Sequence, residues 1–131
     1  MTYLLDVNAL LALAHAAHMH HERVARWVAS LSSDHVLATC SITELGFVRI
    51  APQARLSPHV PAARDLLSQL RSSARPPFVR LTDDLGADSL PSWADTPAAT
   101  TDGHLSVLAT LREARLVTLD EGIPDSTLIP V

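Results

Sequence analysis

Short apolar runs that do not alternate, interleaved with one-sided helical stripes, restrict this chain to few architectures. The runs fall at residues 3–5, 35–39, 78–81, 115–119 and 127–131. A strand with one wet face alternates apolar and polar residues, whereas a strand covered on both faces does not. Apolar residues recur at i, i+3, i+4 and i+7 in Val7/Leu10/Leu11/Ala14, Val24/Trp27/Val28/Leu31 and Ala63/Leu66/Leu67/Leu70. Each set is the stripe of an amphipathic helix. A fourth, Leu105/Leu108/Ala109, follows Thr101-Asp102, which supply capping chemistry at a helix start. A further helix is expected from Ser41 to about Ile50, and because its apolar residues keep to no single face it is expected to be largely buried. Strands alternating with helices specify an α/β fold, a three-layer α/β/α sandwich with a mainly parallel central sheet. Pro52, Pro58 and Pro61 mark one connection, and Pro76-Pro77 another. The stretch 83–99 reads as an irregular loop, or a short helix followed by a loop. No repeat or linker divides the sequence, so residues 1–131 are expected to form a single domain.

Composition narrows the function. The formal net charge is −4, which argues against a broad basic face for nucleic acid. All ten basic residues are arginine, so any mechanism with an obligatory lysine is excluded. That removes the phosphoaccepting receiver modules, which are also α/β folds with clustered aspartates. Phosphatases with an Asp-x-Asp nucleophile need a second aspartate where this chain has Asn8. The single cysteine, Cys40, cannot form an internal disulfide and reads as a small buried apolar residue. The opening Met-Thr-Tyr-Leu-Leu-Asp is no signal peptide, and no apolar run approaches the roughly 20 residues of a membrane span. A cytoplasmic protein is the expectation.

Four acids stand at informative places. Asp6 closes the first run, Glu44 lies in the first turn of the helix after the second, Asp102 begins the fourth-stripe helix, and Asp120 ends Leu-Val-Thr-Leu. In a parallel α/β sheet, strand C-termini and the following helix N-termini share one edge, where such folds place their sites. Each acid also has a structural explanation. Asp6 and Asp102 suit N-caps, Ser41-Ile-Thr-Glu44 matches a capping box, and Asp120-Glu121-Gly122 suits a turn. Caps need not share a rim, however, and carboxylates gathered on one repel unless a cation sits among them. Oxygen-only ligands suit Mg²⁺ or Mn²⁺ rather than zinc.

At these residues the sequence resembles the PIN-domain ribonucleases, and specifically the VapC-type toxins of bacterial toxin–antitoxin pairs. The matching segments are Leu-Leu-Asp6-Val-Asn8-Ala, Ser-Ile-Thr-Glu44-Leu-Gly-Phe-Val-Arg49, Thr101-Asp102-Gly-His-Leu and Leu-Val-Thr118-Leu-Asp120-Glu-Gly. The resemblance implies an endoribonuclease that hydrolyses single-stranded or looped RNA with Mg²⁺ or Mn²⁺. It implies an acidic site of Asp6, Glu44, Asp102 and Asp120, with Asp6 and Asp102 as direct metal ligands. Asn8 and Thr118 match supporting positions. A homodimer and a short cognate antitoxin that blocks the site are implied as well. The chain departs from the pattern before the third acid. Related toxins often carry arginine or histidine there, whereas this chain reads Asp95-Thr-Pro-Ala-Ala-Thr-Thr and lacks that phosphate contact. A PIN nuclease of RNA maturation without an antitoxin fits the same residues, as does a partner-binding protein that keeps the fold. The intact acids argue against the last.

Other residues receive structural readings. His18, His20 and His21 belong to a solvated helix start rather than a ligand set, and Trp27 and Trp93 to a core or interface. Arg49 follows Glu44 by five residues, about 140° round the helix, and serves packing.

Overall fold

The computed structural model describes residues 1–73 and 75–131. Its strands are β1 (Thr2–Leu5), β2 (Val36–Thr39), β3 (Phe78–Arg80), β4 (Ala114–Thr118) and β5 (Thr127–Leu128). They form one sheet in the order β3-β2-β1-β4-β5, with every neighbouring pair parallel. Helices α1 (Val7–Ala14) and α2 (His21–Ser30) link β1 to β2, and α3 (Ser41–Gln53) and α4 (Val60–Ser73) link β2 to β3. Helix α5 (Thr100–Leu111) leads into β4.

Successive side chains of a strand point to opposite faces, and the core divides accordingly. Leu5, Leu37 and Val117 meet Leu10, Val24, Phe47 and Ala63 of α1–α4. Leu4, Ala38 and Leu116 meet Leu105 and Leu108 of α5. Both faces of the central strands are therefore dry, which is why their sequences lack alternation, while the edge strands β3 and β5 are more exposed. The result is the three-layer α/β/α sandwich that the sequence predicts.

Two local expectations are corrected. Helix α3 runs on through Pro52 to Gln53, because the Ala54 N–H still reaches Ile50 O at 2.8 Å and closes the last turn. Nor is α3 buried all round. Thr43, Gly46, Phe47 and Ala51 enter the core, while Leu45 is 67% exposed and Arg49 is exposed. The helix packs on α1 and α4, and its Leu45 side faces a groove. The stretch 83–99 carries two single 3-10 turns, Ala87–Ser89 and Pro97–Ala99.

The chain leaves β1 in one direction to build β2 and β3, and returns on the other side for β4 and β5. The crevice at such a reversal, outside the carboxyl ends of the strands, is where open α/β sheets place ligands. Here it lies between the ends of β1 and β4.

Candidate functional site

Asp6 follows β1 in extended conformation and is 7% exposed. Its Oδ1 accepts the Ala9 N–H at 2.8 Å, so it does cap α1. It is more than a cap. The Thr118 hydroxyl, fully buried at the end of β4, accepts the Asp120 N–H at 2.9 Å and stands near Asp6, whose carboxyl it helps to hold down. Thr118 thus links the residues that follow the two diverging strands. Burial pushes the Asp6 carboxyl above the ordinary carboxylate range. The Thr118 hydroxyl and the Ala9 N–H oppose that shift, and the charges of Asp102 and Asp120 add to it.

Asp102 lies in the first turn of α5 but does not cap it. The N-cap is Ala99, which supplies no side-chain bond, and the 3-10 turn Pro97–Ala99 runs directly into the helix. The Asp102 carboxyl is raised by burial and then by the charge of Asp120. Asp120 is exposed, and its Oδ1 accepts the Gly122 N–H at 2.9 Å in a local turn. Asp6, Asp102 and Asp120 therefore lie within electrostatic reach of one another, and no arginine among the described residues forms an ion pair with any of them. Asn8 is exposed in the first turn of α1, two residues beyond Asp6.

Glu44 is placed differently. The capping box of α3 lies one residue earlier than the sequence suggests, with the Cys40 N–H donating to Thr43 Oγ1 at 2.9 Å. Glu44 is consequently free of the cap. It accepts the Thr39 hydroxyl at 2.5 Å, and Arg80 Nε and NH2 at 3.0 Å each, while Arg71 NH1 stands 3.7 Å away. Burial pushes its carboxyl up, but the bonds from Arg80 and Thr39 and the charges of Arg80 and Arg71 outweigh this, so it sits below its ordinary value. The trio and Glu44 share the rim as two electrostatic compartments, one uncompensated and one neutralised by arginine.

Arg80 and Arg71 are the site neighbours that sequence reasoning missed. Applied to cations, the rule that singles out acids at strand ends also selects Arg80, the last residue of β3. Arg71 carries no comparable signal. The histidines are structural and less solvated than expected. His15 is buried, with Nδ1–H on Leu11 O at 2.9 Å and Nε2 accepting the Ser57 hydroxyl at 2.8 Å. His21 Nδ1–H donates to Ala12 O at 2.7 Å, which ties the start of α2 to α1. Trp27 packs edge-on against Tyr3, and Trp93 joins the core beneath α5.

No family model matches the chain. Individual proteins do. Ribonuclease VapC38 of Mycobacterium tuberculosis is 38% identical over 123 residues, covering 92% of this chain and 86% of the relative. Ribonucleases VapC44 and VapC39 of the same species are 35% and 36% identical, over 94% and 96% of this chain and 89% and 94% of their own lengths. Among solved structures, that of M. tuberculosis VapC20, described as a sarcin-ricin loop cleaving toxin, superposes with a TM-score of 0.68. It covers 98% of this chain and 99% of its own at 14% identity, so it speaks for the fold. The sandwich is that of a PIN domain. Within that class, the chain belongs to the VapC family of ribonucleases.

Proposed function

We propose that this protein is an Mg²⁺- or Mn²⁺-dependent endoribonuclease, the toxin of a toxin–antitoxin pair. The observation that carries the reading is the uncompensated trio at the β1/β4 crevice, where Asp6 and Asp102 are raised by burial and by neighbouring negative charge. Among the described residues, no three His, Cys, Asp or Glu side chains already enclose a common point. Charges interact over longer distances than a shared ion spans, and Mg²⁺ needs no such cage. It keeps several waters and takes one or two carboxylates together with substrate phosphates. The oxygen-only donors Asp6 and Asp102 fit that requirement and would hold it.

A bound ion would supply a water acidified toward neutral pH and offset charge on the attacked phosphate. Water attacks phosphorus as the bond to the leaving ribose oxygen breaks. Thr118 keeps Asp6 and Asp120 in register, and Asp120 offers its second carboxylate oxygen to orient the water. Glu44 borders the site, fixed by Thr39 and Arg80, and would have to leave Arg80 to assist an ion.

The test is cleavage of single-stranded RNA by purified protein. It should require Mg²⁺ or Mn²⁺ and stop with chelator, and cleavage undiminished in excess EDTA refutes the reading. A cognate antitoxin covering the rim, a homodimer and a cytoplasmic location complete the proposal. Co-expression with the neighbouring reading frame followed by a pull-down, and the mass of the purified protein in solution, test the first two. Among the described residues, no helix is long and apolar enough to cross a membrane.

A further inference from the structure

Arg80 grips Glu44 with one edge of its guanidinium only. Nε donates to Oε2 and NH2 to Oε1, and the side chain is 52% exposed. A guanidinium carries five N–H donors in a planar fork. This contact uses one hydrogen on Nε and one on NH2, so the edge formed by NH1 and the second NH2 hydrogen faces away from Glu44. That edge can take two oxygens of a phosphate. Behind Glu44, the Arg71 Nε is buried and has no hydrogen-bond partner among the described residues. One carboxylate cannot neutralise both cations. With Arg64 and the apolar Leu45 and Val48 they line a groove of ≈ 590 Å³ along α3 and α4. Three arginines face a single acid there, in a chain of net charge −4. This is a positive surface directly beside an acidic rim.

We infer that Arg80, backed by Arg71, positions substrate by binding a backbone phosphate of single-stranded RNA next to the cleaved bond, and that the α3–α4 groove carries that flank of the strand. The inference rests on the ribonuclease reading and supplies the phosphate contact that the stretch before Asp102 lacks. Glu44 holds the fork in place beforehand, so binding need not order a free arginine. The exposed Leu45 offers apolar surface to ribose or base. An acidic protein segment would feel the same charges, but the groove begins at Glu44 and Arg80 on the rim where the ribonuclease reading puts the substrate.

RNA binding to the Asp102→Asn protein, in which cleavage is blocked, reads the contact by fluorescence anisotropy across a salt series. Adding Arg80→Ala should weaken binding about fivefold near 0.1 M salt and flatten the plot of log Kd against log salt by about 0.7, the value of one single-strand phosphate contact. Arg80→Lys should retain the slope, since the charge remains. Arg115→Ala, in β4 and three strands away from β3, should change neither. An Arg80→Ala protein with the parent's Kd and slope overturns the inference. So does a loss with unchanged slope that lysine fails to restore, which would make Arg80 only a brace for Glu44. An Arg80→Ala protein that binds RNA normally but loses an acidic protein partner overturns it as well. The two readings fail separately. RNA bound through Arg80 yet never cut refutes cleavage alone, and RNA cut and bound regardless of Arg80 refutes the groove alone.

Discussion

His104 Nε2 donates to Asp83 Oδ2 at 2.6 Å, joining α5, two residues past Asp102, to the segment that leaves β3. Both side chains are largely buried, and Asp83 Oδ1 also accepts the Leu85 N–H. Truncating one partner strands the other away from water. His104→Ala is expected to cost about 1–3 kcal/mol and to lower cleavage, because the start of α5 loses its anchor. Urea unfolding measures the first effect, and an unchanged midpoint would show that the pair contributes nothing.

Asp102 and Glu44 should respond to loss of charge with opposite signs. The folded-state pKa of Asp102 is raised, so its contribution is present at low pH and lost as pH rises through that value. Glu44 is lowered, so its contribution is present above its unfolded pKa and lost as pH falls through the folded one. Near neutral pH without metal, Asp102→Asn is expected to raise stability by about 0.5–1 kcal/mol, discounted for solvent screening, and Glu44→Gln to lower it by a similar amount. Asp6→Asn should also stabilise, because asparagine still caps α1. Excess Mg²⁺ or Mn²⁺ should stabilise the parent, by about 2.7 kcal/mol at a hundred times Kd, and stabilise Asp6→Asn and Asp102→Asn far less. Thermal melts with and without metal decide, and shifts of one sign for Asp102→Asn and Glu44→Gln would contradict the two-compartment rim.

Thr118→Val keeps the shape of the side chain and removes the hydroxyl that links Asp120 to Asp6. Since that hydroxyl holds the Asp6 pKa down, its loss raises the pKa further. The acid limb of the pH–rate profile should move to higher pH, and Thr118→Ser should restore it. A valine variant with the parent's profile would remove Thr118 from the site.

Gly103 lets residues 91–94 lie against α5. A Cβ there would stand 2.5 Å from Ala94 Cβ and 3.2 Å from Pro91 Cδ. Neither neighbour can rotate away, so Gly103→Ala is expected to cost about 1–3 kcal/mol and to disturb Asp102 beside it. At Gly46 the clash is with a Val7 methyl at 2.7 Å, and that side chain can turn. Gly46→Ala should therefore cost less. Chemical denaturation of both variants gives the order, and a reversed order contradicts the packing described.

The alternation of strand and helix is legible because strands buried on both faces must be short and apolar, as at Leu4-Leu5 and Leu116-Val117. The rim acids are legible for a related reason, since strand ends in a parallel sheet point one way. Side-chain partnerships are another matter. Nothing in the order of residues says that Glu44 will choose Arg80, 36 positions on, over its own helix. The choice depends on where β2 stops. It stops at Thr39, Cys40 becomes the cap, and the box closes on Thr43 instead of Glu44. A shift of one residue thus moves an acid from helix end to ion pair. Likewise, His104 and Asp83 meet because α5 and the exit from β3 lie on the same side of the sheet, a relation no local pattern encodes.

The central place of β1 sets a timetable for the nascent chain. Thr2 pairs on one side with Val36 and on the other with Ala114. During synthesis the early strands can associate soon after they emerge, since folding proceeds from the N-terminal side. The second edge of β1 stays open until β4 has been made. Only then does Thr118 bring Asp120 to Asp6. Chains made only as far as β3 therefore lack the complete acid set on which the proposed cleavage depends.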